Sequence, residues 1–320
     1  MKVLITGATG LVGQELVRLF KEQKVPIHYL TTRRSKIVTE ANYQGFYWNP
    51  TKGEMDKNAL KGVTAIINLA GATISNRWTS AYKNEVLNSR LDSLKTLYKA
   101  IENCKQLEVQ SFISASAIGI YPNSLTTYYE ETETNQDDSF LGAVVAAWEK
   151  EIANFKQFDF NVAKIRIGLV LSDKGGALPK IVQPVSNYLG AAFGSGEQWQ
   201  SWIHITDLAN MFIYILENQL TGTFNGVAPN PVTNAKMTKE ISKVLGKPLI
   251  LPNVPKVMME LILGEMAYLL FASQRVSSKK IEEGGFVFAH RNICTALESF
   301  YGGESCQESN AEASFEKNYS

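Results

Sequence analysis

The sequence predicts an α/β protein, with a doubly wound parallel sheet and a smaller, mostly helical C-terminal lobe. Short apolar runs of strand length alternate with stretches of helical spacing through the first 170 residues. This alternation is typical of βαβ units, because parallel neighbouring strands need a crossover connection. A glycine-rich turn also joins the first strand directly to the first helix. A chain of 320 residues with 45% hydrophobic composition can bury a core of the size that such a fold requires.

The N-terminal strand and its glycine turn predict a dinucleotide site. Val3-Leu4-Ile5 is the strand, Gly7 allows a tight turn, Gly10 lets the backbone approach a pyrophosphate, and Gly13 lets the helix Gln14–Gln23 lie close to the strand. The first N–H groups of that helix have no partner within it, so they are free to bind phosphate oxygens. The alternative is a tight strand–helix turn without a ligand. The other residues predicted to contact the cofactor here are Thr6, Thr9, Leu11 and Val12.

A second strand, Ile27–Thr31, leads into Arg33 and Arg34. A site that prefers NAD usually has an Asp or Glu about twenty residues past the glycines, where it accepts a hydrogen bond from the ribose 2′-hydroxyl. Two arginines instead offer charge and forked donors to a 2′-phosphate. We therefore predict NADP (NADPH) in preference to NAD. The alternative is a solvated basic turn, since arginines are common on loop surfaces.

Two more strands follow, Phe46–Trp48 and the continuous apolar run Val63–Leu69. The second has the pattern of a strand buried in a parallel sheet, and it ends in Ala70-Gly71. Small residues at the carboxyl end of such a strand let a ribose approach the backbone, in the crevice where α/β folds bind ligands. We therefore include Leu69, Ala70 and Gly71 in the cofactor site. A plain strand-ending turn is the alternative.

The next strand, Val109–Ser114, ends near Ser116 and Tyr121. Hydroxyl groups at this position are natural hydrogen-bond partners for a substrate oxygen beside the nicotinamide, although serines also end strands routinely. A helical pattern covers Trp78–Asn103 before this strand. Another covers Ser139–Phe155 after it, and the strand Asn161–Arg166 follows.

The rhythm of strands and helices changes beyond Gly168. Glycines flank a helix at Leu178–Leu189, and a polar and aromatic stretch leads through His204 into a helix at Leu208–Glu217. A short strand, Thr223–Asn225, is expected to return to the main sheet. The predicted domains are residues 1–170 with 205–227, then 171–204 with 228–300 as a substrate-side lobe containing the helix Pro255–Phe271. The tail at 301–320 is expected to be flexible.

Charge and composition narrow the class of partner. The 32 basic and 31 acidic residues are well mixed, so no nucleic-acid surface is indicated. No apolar run is long enough for a membrane span, and the N-terminal run is too short for a signal peptide, which favours the cytoplasm. Cys104, Cys294 and Cys306 are expected to be free thiols. The three histidines are isolated along the chain, so we predict no metal site.

The stretch Thr6–Gly13 resembles the extended short-chain dehydrogenase/reductase superfamily of nucleotide-sugar epimerases and dehydratases. More closely, the chain resembles an atypical family of NAD(P)-dependent epimerase/dehydratase-like oxidoreductases with a C-terminal domain of unknown function. The segments that carry this resemblance are Asn68–Gly71, Arg77-Trp78, Ser89–Leu91, Ser114–Gly119, Phe140-Leu141, Trp148-Glu149, Gly175–Pro179, Gly194–Trp199, Trp202–His204 with Asp207, Ala228–Asn234, Gly264–Met266 and Gln274–Val276.

The resemblance implies a Rossmann-type sheet that binds NADP, and a substrate cleft closed by the C-terminal lobe. In the superfamily a Tyr and a Lys four residues later transfer the proton, on one face of a helix. Here the equivalent positions are Val144 and Trp148, and the chain has no Tyr followed four residues later by Lys. The resemblance leaves Ser116 and Tyr121 as catalytic candidates, with Tyr121 either a proton donor or a packing aromatic.

The resemblance also implies the remaining site residues. Ser89 takes the position of a superfamily asparagine behind the cofactor, and Arg166 that of an arginine near the substrate. The other substrate-side candidates are Arg77, Trp78, Trp202 and His204. Asp207 is alternatively the N-cap of its helix. Two hypotheses follow: an NADP-dependent oxidoreductase or epimerase-like enzyme acting on a small carbonyl or sugar-like substrate, or a protein that binds NADP(H) and senses redox state without turnover. Either is compatible with a homodimer.

Overall fold

The computed structural model describes residues 1–302 of the chain. Residues 303–320, which include Cys306 and most of the predicted tail, lie outside the described residues. The described strands are, in chain order, β1 (Val3–Thr6), β2 (Ile27–Thr31), β3 (Thr39–Glu40), β4 (Tyr43–Asn49), β5 (Glu54–Met55), β6 (Ala65–Asn68), β7 (Ser111–Ala117), β8 (Tyr128–Tyr129), β9 (Asn161–Ile167), β10 (Leu169–Leu171), β11 (Trp199–Gln200), β12 (Trp202–His204), β13 (Gly222–Gly226), β14 (Val232–Thr233) and β15 (Arg275–Val276).

The helices alternate with these strands in the first half of the chain and dominate the second half. In chain order they are α1 (Leu11–Glu22), α2 (Ser80–Glu102), α3 (Phe140–Ala153), α4 (Leu178–Ser186), α5 (Ile205–Glu217), α6 (Asn234–Val244), α7 (Lys256–Leu263), α8 (Tyr268–Phe271), α9 (Lys279–Glu283) and α10 (Ile293–Tyr301).

The large sheet confirms the predicted fold class. Its strand order is β13-β9-β7-β6-β1-β2-β4-β3, and every neighbouring pair from β13 to β4 is parallel. Strand β1 lies between β2 and β6, with Val3 opposite both Ile27 and Ala65. The strand order therefore reverses at β1, which is the switch point where doubly wound folds bind dinucleotides. The return of residues 222–226 to this sheet places β13 at its edge, beside β9.

Side-chain caps fix where several of the helices begin. The Thr79 hydroxyl accepts a hydrogen bond from the backbone N–H of Tyr82 at the start of α2, and the Ser139 hydroxyl accepts from Gly142 at the start of α3. Such caps satisfy N–H groups that have no partner inside the helix. The start of α1 differs, because its N-cap residue, Gly10, has no side chain to do so.

Two hydrophobic clusters account for most of the core. The larger one is built on the central strands β1, β6 and β7 and includes Leu4, Ile66 and Phe112, all fully buried. A second cluster lies in the C-terminal half, around Trp202 and Ile241 and between α4, α6 and α10. The predicted helix Pro255–Phe271 is broken, since α7 ends before Gly264, whose φ of 58° does not continue a helix.

The cysteines and the helix lengths can be checked within residues 1–302. Cys104 is a free cysteine, as predicted. Cys294 is disulfide-bonded, so the prediction of a free thiol is wrong there: separation along the chain does not fix which sulfur atoms meet in space. None of the helices in this part of the chain is both long enough and apolar enough to cross a membrane.

Replacing Gly13 by Ala should destabilise the cofactor-free protein. A Cβ atom at Gly13 would lie 2.2 Å from the carbonyl oxygen of Gly7 and 2.7 Å from Cα of Ala8, so backbone must move. We expect the free energy of unfolding to fall by about 1–3 kcal/mol, as for other overpacked positions. Urea denaturation followed by circular dichroism measures it.

Gly175→Ala is the matched control, because the Cβ atom added there would meet only Cδ1 of Leu11, at 3.6 Å. Its free energy of unfolding should change by less than about 0.5 kcal/mol. Equal losses in both variants would show that the close approach at Gly13 has no special role.

Candidate functional site

The glycine turn brings the start of α1 against the ends of β1 and β6. Gly7 has a φ of 70°, and a Cβ atom there would lie 2.9 Å from the carbonyl carbon of Leu69. The chain then passes the exposed Thr9 and enters α1 at Leu11, with Val12 partly buried and Gly13 buried. No side chain caps this helix. Its first N–H groups are therefore available to an anionic ligand at the switch point of the sheet.

The Thr6 side chain lies beneath this turn and stabilises it, instead of facing a ligand. It is fully buried, and its hydroxyl donates to Asn68 Oδ1 at 2.7 Å and accepts from the N–H groups of Leu69 and Ala70. Asn68 Nδ2 in turn donates to the Ser114 hydroxyl at 3.0 Å. These hydrogen bonds between the side chains of Thr6, Asn68 and Ser114 join the adjacent strands β1, β6 and β7 near their carboxyl ends. Asn68 was not among the predicted site residues, although its position at the end of an apolar strand was a signal for it.

The loop after β6 is held from α2. The Ser89 hydroxyl accepts from the N–H group of Ala72 at 2.9 Å and donates to the Val86 carbonyl oxygen. Gly71 is exposed, and a Cβ atom there would come 3.1 Å from Cζ of Arg90. Ser89 thus shapes the loop, while Leu69, Ala70 and Gly71 form its backbone beside the glycine turn.

Arg33 and Arg34 lie at the carboxyl end of β2, next to β1. Both side chains are exposed, and neither forms an ion pair within residues 1–302. The Arg34 guanidinium lies 4.0 Å from the centroid of the Tyr47 ring, and the backbone N–H of Arg33 donates to the Thr31 hydroxyl. Two unpaired guanidinium groups are thus held beside the strand that follows the glycine turn.

A cavity of about 220 Å³ lies at the carboxyl ends of β7 and β9, and its lining is mostly apolar. Both halves of the chain contribute to it. The lining residues are Ile74, Arg90, Ala117, Ile118, Gly119, Leu141, Val144, Val145, Trp148, Ile167, Gly168, Leu169, Trp199, Gln200, Ser201, Tyr268, Leu269, Ala272 and Gln274. None of the predicted catalytic or substrate-side residues is among them.

The two positions that the resemblance aligns with the superfamily's Tyr and Lys line this cavity. Val144 and Trp148 lie one turn apart on α3 and are buried. The Trp148 Nε1 atom is enclosed and has no hydrogen-bond partner in the described residues. Among the cavity residues that the sequence analysis missed, Tyr268 is a titratable one, and its hydroxyl donates to Asp137 Oδ2 at 2.8 Å. Burial raises the pKa of the Tyr268 hydroxyl above its ordinary value.

Ser116 and Tyr121 point into a buried polar network instead. The Ser116 hydroxyl donates to Glu149 Oε1 at 2.7 Å. Tyr121 is fully buried; its hydroxyl donates to Asn225 Oδ1 at 2.7 Å and accepts from Arg166 Nη1 at 3.0 Å. Burial raises the pKa of Tyr121 to about 12, against the opposing charge of Arg166. In this arrangement both hydroxyl groups are hydrogen-bonded to buried protein side chains and do not face the cavity. The catalytic role of Ser116 and Tyr121 therefore stays a prediction.

Glu149 is the centre of that network. Arg166 binds it through two parallel hydrogen bonds, Nε to Oε1 at 2.9 Å and Nη2 to Oε2 at 3.0 Å, and Lys164 pairs with Oε2. Burial acts to raise the pKa of Glu149, but the hydrogen bonds and charges of Arg166 and Lys164 outweigh it and hold the pKa below its ordinary value. Arg166, predicted on the substrate side, is therefore buried in an ion pair.

The other predicted substrate-side residues do not line the cavity. Arg77 is exposed. Trp78 packs edge-on against Phe140 and donates through Nε1 to the carbonyl oxygen of Ile74, which does line the cavity. Trp202 is fully buried in the second hydrophobic cluster, and its Nε1 donates to the Asn230 carbonyl oxygen at 2.9 Å. Trp78 thus supports the wall of the cavity from outside.

The structure brings His204, Asp207 and His290 together, so the view of these histidines as isolated is wrong. Their potential metal-ligand atoms lie within 4.8 Å of one another. The two imidazole rings stack, with centroids 3.7 Å apart and an angle of 14° between their planes. Asp207 accepts from the N–H groups of Ala289 and His290. The cluster therefore anchors residues 289–290 to α5.

His204 is the N-cap of α5, a role that the sequence analysis gave as an alternative for Asp207. Its Nδ1 accepts from the backbone N–H of Thr206 at 3.1 Å. Asp207 lies in the first turn of the helix instead. Burial and, to a lesser extent, the neighbouring His290 lower the pKa of His204 to about 4, against the opposing effects of Asp207 and Glu15.

Comparison with known families and proteins gives a consistent result. Residues 3–226 match the model of the NAD dependent epimerase/dehydratase family, and residues 254–300 match a domain of unknown function, DUF1731. An epimerase family protein of Staphylococcus aureus is 35% identical over 296 residues, which are 92% of this chain and 97% of that protein.

Two solved structures extend the comparison. A human epimerase family protein, SDR39U1 isoform 2, was crystallised with NADPH; it is 28% identical with a TM-score of 0.82, over 94% of this chain and 99% of that one. The nucleoside-diphosphate sugar epimerase from Corynebacterium glutamicum is 28% identical with a TM-score of 0.76, over 99% of this chain and 62% of that one.

Replacing Tyr121 by Phe should cost stability. The change leaves Arg166 Nη1 and Asn225 Oδ1 without a buried partner, and such losses typically cost about 1–3 kcal/mol. Tyr128→Phe is the control, because Tyr128 is exposed. Urea denaturation of both variants measures the difference. A Tyr121→Phe protein as stable as the control would argue against the network.

The stability of the protein should decrease as pH falls from about 6.5 to about 4. Between the ordinary pKa of histidine and the lowered pKa of His204, the unfolded chain binds one more proton than the folded chain. The slope from this residue is at most about 1.4 kcal/mol per pH unit. Unfolding measured by urea at each pH gives the profile.

His204→Asn isolates this contribution, since Asn caps helices well but does not titrate. In that variant the slope between pH 4 and 6.5 should be smaller by up to the same amount. Identical slopes in the two proteins would show that His204 titrates normally.

Proposed function

The chain belongs to the NAD dependent epimerase/dehydratase family, and from this premise we propose that it is an NADP(H)-dependent oxidoreductase or epimerase-like enzyme. Its substrate is a small carbonyl or sugar-like compound. The observation that carries the proposal is the cavity at the carboxyl ends of β7 and β9, closed on one side by residues 268–274. This is the region of a doubly wound sheet where ligands bind.

Residues of this chain would bind and orient the cofactor in a defined way. The uncapped start of α1 binds the pyrophosphate, because its N–H groups have no side-chain partner. The backbone of Leu69, Ala70 and Gly71 allows close approach of a ribose. Arg33 and Arg34 bind the 2′-phosphate. The nicotinamide would, when bound, supply or accept a hydride, and the mostly apolar residues of the cavity would surround the substrate.

The departure from the superfamily's acid–base pair favours an alternative, a protein that binds NADP(H) and senses redox state without turnover. Val144 and Trp148 replace the Tyr and Lys, and the hydroxyls of Ser116 and Tyr121 are engaged with Glu149, Arg166 and Asn225. We favour the enzyme, because a small-molecule cavity is retained. Incubating the protein with NADPH and a panel of carbonyl compounds and nucleotide sugars, while following nicotinamide absorbance, distinguishes the two: oxidation with any of them establishes turnover.

We further propose that the partner is a small molecule, and neither a nucleic acid nor a membrane. The protein is proposed to act in the cytoplasm and to be able to form a homodimer. The near balance of 32 basic and 31 acidic residues supports the first part of this proposal.

Arg33→Ala should weaken NADPH binding while leaving NADH binding almost unchanged. A hydrogen bond to a charged group contributes about 1.5–3 kcal/mol, which corresponds to roughly 10- to 150-fold in Kd. Isothermal titration calorimetry with both cofactors measures the preference. Lys36→Ala is the control, since Lys36 is also an exposed cation just beyond β2. An NADPH/NADH preference that survives both Arg33→Ala and the double change with Arg34→Ala would exclude these arginines as its source.

A further inference from the structure

Two arginines reach into the interior of the protein, and only one of them is neutralised. Arg166 is paired with Glu149 through two hydrogen bonds. Arg90, on α2, has no carboxylate within ion-pair distance in the described part of the chain. Charges removed from water are normally paired, because their desolvation is otherwise costly. An unpaired guanidinium in a cavity wall therefore indicates a missing anionic partner.

The local contacts of Arg90 leave most of its donors free. Nη1 donates to the carbonyl oxygens of Val86 at 2.7 Å and Ala72 at 3.2 Å. Nε and Nη2 have no hydrogen-bond partner within residues 1–302. These two nitrogen atoms are nevertheless accessible. Within residues 1–302, Nε1 of Trp148 is the only fully enclosed side-chain nitrogen or oxygen atom that lacks a hydrogen-bond partner. Adjacent Nε and Nη2 donors have the geometry that binds a carboxylate through two parallel hydrogen bonds.

The surroundings of Arg90 hold the guanidinium in place. Its Cζ atom lies 5.0 Å from the centroid of the Trp148 ring, and a Cβ atom added at Gly71 would come within 3.1 Å of the same Cζ atom. Burial lowers the pKa of Arg90 to about 10, so the group remains charged at neutral pH. Both Arg90 and Trp148 line the apolar cavity. A fixed cation and an unpartnered indole N–H thus lie in one site.

We propose that Arg90 is a substrate-binding residue that takes the carboxylate of a small, otherwise apolar substrate, with Trp148 as its stacking platform. This inference rests on the proposed function, because it assigns a substrate class to the same cavity. Two sources of an anion are conceivable, the cofactor's phosphates and a substrate carboxylate. The substrate is favoured because the uncapped start of α1 already offers donors to the pyrophosphate, and because the cavity around Arg90 is apolar.

The test compares binding of phenylacetate with binding of its neutral analogue phenylacetamide, by calorimetry, to protein saturated with NADP⁺. Wild-type protein should bind the carboxylate at least tenfold more tightly than the amide. Arg90→Gln should remove this preference by weakening phenylacetate binding roughly 10- to 100-fold, with the amide and NADPH affinities unchanged. Lys95→Gln, which removes an exposed cation from the same helix, should behave as wild type.

Arg90→Lys guards against a folding artefact, because it keeps the charge and loses only the forked donors. It should retain part of the preference for phenylacetate, with thermal unfolding and circular dichroism close to wild type. If wild-type protein shows no preference for the carboxylate, the proposal is overturned. If Arg90→Gln instead weakens NADPH binding tenfold or more, the anion is a cofactor phosphate and the substrate assignment is wrong. Failure of wild-type protein to bind NADPH at all would contradict the proposed function itself, and the cofactor titration reports that separately.

Discussion

The buried ion pair between Glu149 and Arg166 is the interaction on which the cavity end of β7 and β9 depends. The Glu149 carboxylate joins α3 to β7 through Ser116 and to β9 through Lys164 and Arg166. Arg166 extends the connection to Tyr121, and Tyr121 extends it to β13 through Asn225. Removing one partner of such a buried set would leave an uncompensated charge. The hydroxyls that resemble a catalytic pair are therefore part of the framework that shapes the cavity.

Local sequence signals were sufficient for the fold and for the glycine turn between β1 and α1. The alternation of strands and helices, the spacing of Gly7, Gly10 and Gly13, and the apolar run before Leu69 all depend on residues that are close along the chain. The substrate end could not be obtained in this way. Whether Tyr121 faces a ligand or Asn225 depends on a contact across 104 residues. The stacking of His204 on His290 also joins residues that are far apart in sequence, and no period or motif indicates it.

The unpaired state of Arg90 could not be predicted from the sequence either. In the sequence Arg90 is one of many cations on a helix, and its neighbours Ser89 and Leu91 carry the family resemblance equally well. Only the structure shows that it has no carboxylate partner within the described residues while Arg166 has one. The resemblance aligns Val144 and Trp148 with a Tyr and a Lys, and this difference does more than remove an acid. It leaves an apolar wall and an aromatic face against which a guanidinium from a neighbouring helix can lie.

Residues from both halves of the chain line the cavity, so its walls are synthesised at different times. The glycine turn, the loop after β6 and the strands β7 and β9 are all complete once residue 167 has been synthesised, whereas Tyr268, Leu269, Ala272 and Gln274 emerge about a hundred residues later. The residues of the glycine turn are therefore synthesised before those that complete the cavity. The last wall is added when Gln274 Nε2 can donate to the carbonyl oxygen of Tyr121. A chain interrupted before that point would contain the glycine turn and lack one wall of the cavity.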